Sequence, residues 1–162
     1  DGKANCFWRE IEMTHTDRDL ELEKIIIEKI TNIKTSKLSL KSIRSEDDPE
    51  SWGGATCWTY EFSNPDSKVI LGVITTQPGY FFSSHFSLGK DHFSFRDYMT
   101  FRKHPELQGI KSRLIKDQGK YSDKQAYLDC LDLFVSYLRE GELADVVKGK
   151  WIKVPTDWMG FR

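Results

Sequence analysis

The feature that most limits how this chain can fold is a set of three strand-like segments joined by short turns. The segments cover residues 55–62, 68–75 and 80–88. Proline occupies both connections, in Asn64-Pro65-Asp66-Ser67 and in Gln77-Pro78-Gly79, where it fixes one backbone dihedral. Parallel neighbours need crossover connections of about a dozen residues or more, so these short turns predict antiparallel pairing in a β-meander.

Before these strands the pattern is mixed. Residues 5–13 and 37–43 alternate between apolar and polar side chains, which predicts two further strands. Between them, a capping-box motif from Thr16 to Asp19 precedes an apolar stripe with three- and four-residue spacing. The stripe consists of Leu22, Ile26, Ile30 and Ile33. It predicts an amphipathic helix that packs on a sheet or another helix.

After Gly89 the pattern becomes helical. Ser94 and Asp97 form a second capping-box motif ahead of a helix over 95–102, and Pro105 starts another through Ile115. The clearest helix is headed by Ser122 and ended by Gly141, with a short helix over 143–147 and an irregular tail after it. The sequence therefore predicts one α+β domain over 1–162. It would be an antiparallel β-meander of four to five strands packed against one N-terminal helix and three or four C-terminal helices.

Composition favours a soluble globular protein, with 38% hydrophobic, 30% charged and 13% aromatic residues. The longest apolar run, residues 69–74, is far below the roughly 18 residues of a membrane span. Cys6, Cys57 and Cys130 form an odd and widely spaced set, which is untypical of a secreted disulfide scaffold. We therefore expect free thiols, a cytoplasmic location and no membrane partner.

Charge is unevenly distributed along the chain. Residues 1–81 carry 10 Lys and Arg against 14 Asp and Glu, whereas residues 82–162 carry 14 against 11. The acidic excess is concentrated in a turn-rich loop over 46–54. We name part of this loop the acidic segment, which comprises Glu46, Asp47, Asp48, Glu50 and Trp52. Carboxylates steer a basic protein and a tryptophan anchors it, so the segment predicts a protein partner. A solvated turn has the same composition.

Residues 80–116 offer an alternative surface, for nucleic acid. Aromatic rings stack on bases while Lys and Arg neutralise phosphates. The candidate residues are Lys90, Arg96, Tyr98, Arg102 and Lys103. The same rings could instead fill the contact between sheet and helices, and a net charge of −1 lacks the basic excess typical of nucleic-acid-binding domains.

Catalytic patterns are weaker. His85 and His92 flank a turn and could share a metal with Asp91, but zinc-site spacings such as CxxC and HxxxH are missing. A hydrolase or nuclease would have to use Glu61, Asp66 and Lys68 as a carboxylate–lysine set, or Cys57, Cys130, Ser83 or Ser84 as a nucleophile with a histidine. Turn formation and packing explain these residues more simply. We expect no catalytic residue, no cofactor and no bound metal.

The leading hypothesis from the sequence is a non-enzymatic, intracellular protein-binding module of inhibitor or immunity type. A nucleic-acid-binding accessory domain is the first alternative, and an uncharacterised hydrolase or nuclease is the second.

Overall fold

The computed structural model describes residues 19–34, 37–47, 56–77, 79–115 and 121–156. The predicted strand over 5–13 and the motif residue Thr16 lie outside these ranges. The elements are α1 (Leu20–Thr31), β1 (Ser39–Asp47), β2 (Thr56–Ser63), β3 (Ile70–Gln77), β4 (Phe81–Leu88), β5 (Asp91–Ser94), α2 (Phe95–Phe101), α3 (Glu106–Ser112), α4 (Lys124–Arg139) and α5 (Glu142–Val147). Within these ranges, one helix, five strands and then four helices constitute the predicted α+β architecture.

The strands form one antiparallel sheet in the order β1-β2-β3-β4-β5, which confirms the predicted meander. Asn64 builds the turn between β2 and β3. Its side-chain oxygen accepts a hydrogen bond from the Asp66 N–H (2.9 Å), and its carbonyl accepts one from the Ser67 N–H (3.1 Å). Asn64 therefore stabilises the turn by hydrogen-bonding the backbone two residues further on, as asparagine side chains commonly do.

Two strands differ from the prediction. β1 continues through Glu46 and Asp47, which pair with β2 and do not belong to a loop. β5 was not predicted, because four residues are too few for alternation to be recognised before a helix signal. It is nevertheless well defined, since Phe93 on β5 stacks on Phe86 of β4 with ring centroids 5.1 Å apart.

Side-chain caps set where the helices begin. The predicted capping box of α2 is present: the Asp97 N–H donates to Ser94 Oγ (3.0 Å) and the Ser94 N–H donates to the Asp97 carboxylate (2.9 Å). The predicted cap of α4 was wrong by one residue. Asp123, rather than Ser122, accepts a hydrogen bond from the Ala126 N–H (2.8 Å). Serine and aspartate cap about equally well, so the sequence could not separate them.

Helix ends differ modestly from the prediction. α3 ends at Ser112, and Leu114 instead forms an isolated bridge with Tyr121. α4 ends at Arg139, two residues before Gly141. Gly141 has a φ of 107°, a conformation that favours glycine, and it turns the chain into α5. Residues 151–156 have no regular structure, as predicted for the first part of the tail.

The helices pack on one face of the sheet. Phe134 of α4 lies at the centre of this contact, with its ring centroid 5.7 Å from that of Phe82, 6.1 Å from that of Phe86 and 5.1 Å from that of Phe95. Aromatic rings at these separations and tilts attract one another in addition to burying apolar area. Among the described ranges, no helix is long and apolar enough to cross a membrane.

Candidate functional site

The aromatic stretch over 80–104 is mainly a packing element. Its buried rings are Phe82, Phe86, Phe93, Phe95 and Tyr98, each at most 8% exposed. Tyr80 and Phe81 are half-buried. Phe101 is 39% exposed, and the guanidinium of Arg102 lies 4.5 Å from its ring centroid. Burial of five rings accounts for the density of aromatic residues in this part of the sequence.

The residues predicted for nucleic acid do not form one surface of free rings and cations. Tyr98 packs against Tyr137 and His104, and burial together with the nearby Glu142 raises its pKa to about 12. Arg102 donates two hydrogen bonds to Glu142, at 2.7 and 2.5 Å. Lys90 and Lys103 are exposed and Arg96 is half-buried. Because its ring is covered, Tyr98 cannot act as a stacking platform for a base.

The acidic segment lies only partly within the described residues. The backbones of Glu46 and Asp47 form the end of β1, opposite Cys57 and Thr56. Asp48, Glu50 and Trp52 lie outside the described ranges. The prediction that this segment binds a partner therefore stays a prediction.

The sequence patterns did not predict an apolar groove that lies between α1 and β1. It has a volume of about 410 Å³ and is lined by Leu20, Glu23, Lys24, Ile27, Glu28 and Ile43. Leu20 is 68% exposed and Ile43 is 40% exposed, whereas Ile27 is half-buried. We call this feature the α1–β1 groove.

The groove did leave a signal in the sequence. Leu20 and Ile27 are seven residues apart, so they lie on the same side of α1. Both are off the stripe of Leu22, Ile26 and Ile30, which is buried against the sheet. A helix that packs through one face needs only one apolar stripe. The additional pair, Leu20 and Ile27, therefore indicates a second apolar surface on α1.

The sheet face opposite the helices carries a polar row across all five strands. Pairing places Ser42 beside Glu61, Glu61 beside Gly72, Gly72 beside His85 and His85 beside Ser94. In the sequence, Glu61 and His85 are far apart, and no pattern predicts that Gly72 lies between them. A glycine inside an apolar strand was the available signal.

Both ionisable side chains of this row are held in place. Glu61 accepts a hydrogen bond from Ser42 Oγ (2.8 Å) and lies 3.5 Å from the Arg44 guanidinium. His85 Nε2 lies at hydrogen-bonding distance, 2.8 Å, from Ser83 Oγ. Burial lowers the pKa of His85, which outweighs the opposing effect of Asp97, so the imidazole is neutral at neutral pH.

The two described cysteines are buried and not joined by a disulfide. Burial raises the pKa of the Cys130 thiol to about 11, and the Tyr121 hydroxyl donates a hydrogen bond to its sulfur (2.7 Å). This environment favours the thiol over the nucleophilic thiolate. Within the described ranges, no three His, Cys, Asp or Glu side chains are grouped so that they could hold a metal.

Ion pairs connect the helices at the surface. Lys29 of α1 binds Asp132 of α4, and Lys124 lies 3.1 Å from the carboxylate of Asp19, which caps α1. These contacts fix α1 beside α4, and so they help to hold one wall of the α1–β1 groove.

Comparison of the chain with known protein families, curated proteins and solved structures finds no match.

Proposed function

We propose that this chain is a protein-binding module of inhibitor or immunity type, which holds its partner at the α1–β1 groove. The observation that carries the proposal is the exposure of large aliphatic side chains in one concave surface, led by Leu20 at 68% and Ile43 at 40%. Exposed apolar surface inside a charged rim is typical of protein interaction sites. Exposed Lys24 and Glu28 provide that rim, whereas Glu23 is buried beneath it and accepts a hydrogen bond from the Tyr60 hydroxyl.

The position of β1 supports a peptide-like contact. Within the described sheet β1 is an edge strand, whose one neighbour is β2. Edge strands present backbone N–H and C=O groups, and an extended segment of another protein can form hydrogen bonds with them. The side chains of that added segment can then enter a neighbouring pocket. Ile43 belongs to both features, because it lies on β1 and lines the groove.

Charge supports a basic partner. At the groove, Lys24 and Glu28 pair with each other at 4.0 Å, so the negative charge comes from the acidic run Glu46-Asp47-Asp48-Pro49-Glu50, whose first two residues end β1. A partner segment with apolar anchors and basic flanks would match both the groove and this run. We propose that binding masks such a basic surface on the partner, which is how an inhibitor or immunity protein acts.

Two uncharged polar substitutions test the groove. The immobilised protein would capture a partner from an extract of its source cells, and the purified partner would then be titrated calorimetrically. Leu20→Gln combined with Ile43→Thr removes both apolar anchors without adding charge, and threonine keeps the β-branched shape that suits a strand. We expect the affinity to fall about tenfold or more, since each anchor buries aliphatic surface.

The matched control is Ile115→Thr, at an exposed aliphatic residue (38%) that does not line the groove. It should leave the affinity unchanged. Equal affinity for the wild type and the Leu20→Gln, Ile43→Thr variant, with both folded by circular dichroism, would rule the groove out as the binding surface. Trp52→Ala with Asp47→Lys separately tests the acidic segment, which would be excluded if binding were undiminished.

A further inference from the structure

Gly72 lies where a strand would normally carry a side chain. It is in β3, the middle one of the five described strands, with pairing to Glu61 and His85 that continues in register on both sides. Glycine inside a strand marks a bulge, a bend or a place that a ligand approaches closely. The regular register at this position excludes a bulge.

The described chain does not require glycine at this position. Among the described atoms, a Cβ added at Gly72 would meet only the His85 carbonyl oxygen, at 3.9 Å, which is an ordinary contact. Gly72 is also not among the glycines with positive φ, so a side chain would cause no backbone strain. The missing side chain therefore leaves a hollow, and packing of the described residues does not explain it.

Four side chains surround this hollow. Glu61 and His85 flank Gly72 across the strands, while Ile70 and Ile74 precede and follow it by two residues on the same face of β3. Neighbouring strands are about 4.8 Å apart, so Glu61 and His85 stand roughly 10 Å from one another. That width admits one alkyl chain or the edge of one planar group. We name Gly72 with these four residues the Gly72 hollow.

We propose that the Gly72 hollow binds a small organic cation, an alkylammonium or a guanidinium, whose charge pairs with Glu61. The Glu61 carboxylate is 17% exposed and is oriented by Ser42 and Arg44. It retains acceptor capacity, because a carboxylate offers about four lone-pair sites. The isoleucines contact the apolar body of the ligand, and His85 faces the end opposite Glu61.

Such a cation could be a free molecule or an arginine or lysine side chain of another protein. The hollow lies on the sheet face opposite the α1–β1 groove, since Glu61 and Ile43 occupy opposite faces of the paired strands. It therefore stands independently of the proposed protein partner. Agmatine represents the free cation, and N-acetyl-arginine amide represents the side chain in a peptide.

Backbone amide NMR shifts of the whole chain would measure binding of each probe. We expect saturable shifts centred on β2, β3 and β4 at millimolar concentrations. Glu61→Gln should weaken binding about tenfold or more, since it removes the charge that assists the hydrogen bonds. Gly72→Val should abolish binding by filling the hollow, and the strand should tolerate it because valine suits a β-strand. Ser87→Ala, on the same face of β4 but outside the hollow, should bind as the wild type does.

The relative affinity of the two probes identifies the source of the cation. Tighter binding of N-acetyl-arginine amide would indicate a protein side chain, and tighter binding of agmatine would indicate a free molecule. No saturable shift at tens of millimolar with either probe would overturn the proposal. So would binding that survives Glu61→Gln or Gly72→Val. Loss of the fold in Gly72→Val would equally overturn it, because glycine would then be required for packing.

Discussion

The Cys130 thiol should be unreactive in the folded protein because it is buried. Burial raises its pKa to about 11, so the thiolate fraction is very small at pH 8. We expect iodoacetamide to leave Cys130 unmodified in the folded protein and to modify it rapidly in urea, as measured by peptide mass spectrometry. Tyr121→Phe should not increase the labelling, because the lost hydrogen bond favours the thiolate. Labelling of native Cys130 at the unfolded rate would contradict the structure.

Three buried tyrosines make stability sensitive to alkaline pH. Burial raises the pKa of Tyr98 to about 12 and also raises those of Tyr121 and Tyr127. In the unfolded chain tyrosine ionises near pH 10, so the folded state binds more protons above that pH. The stabilising contribution is complete below about pH 10 and is lost as the pH rises through 10 to 12. Urea midpoints should fall over this range, and Tyr98→Phe should reduce the fall. A urea midpoint that stays constant between pH 10 and 12 would show that these hydroxyls are accessible to solvent in the folded protein.

At the scale of an element, the start of α4 depends on one carboxylate. Asp123→Ala removes the acceptor for the Ala126 N–H and should cost about 1 kcal/mol of unfolding free energy, measured by urea denaturation. Ser122→Ala is the matched control, since Ser122 is exposed and adjacent, and it should change stability by less than about 0.5 kcal/mol. A larger loss of stability for Ser122→Ala than for Asp123→Ala would mean that Ser122 caps the helix, as the sequence suggested.

Long periodic elements were predictable from the sequence, and short ones were not. The apolar stripe of α1 and the alternation of β2 each repeat several times, so they specify both type and face. β5 has four residues and one buried ring, Phe93, and so it offers too little periodicity to detect. The early end of α3 has a tertiary cause, because Leu114 pairs with Tyr121, whose N–H donates to the Tyr80 carbonyl (2.6 Å).

At the scale of the whole molecule, Phe134 joins sheet and helices in one core. Phe134→Ala removes its contacts with Phe82, Phe86 and Phe95 and leaves a cavity, so we expect a loss of about 3–5 kcal/mol in urea denaturation. Phe101→Ala, at an exposed ring of the same type, should cost less than about 1 kcal/mol. Similar losses for the two variants would contradict the assignment of Phe134 to the centre of the core.

The candidate sites were less predictable than the fold, because both depend on residues from different elements. Ile43 joins Leu20 and Ile27 only after α1 packs beside β1. Glu61 and His85 come to flank Gly72 only once the strand register is known, and a shift of one residue would move them to the other face. Sequence patterns report neighbours along one element, whereas these sites are made between elements.

The order of strands in the sheet has a consequence for how the chain folds. Each strand pairs with the strand next to it in sequence, so every ladder closes over a short loop. Closing a short loop costs little chain entropy, and proteins rich in local contacts fold faster than those with distant pairings. The sheet can therefore grow one hairpin at a time, without waiting for the two ends of the chain to meet.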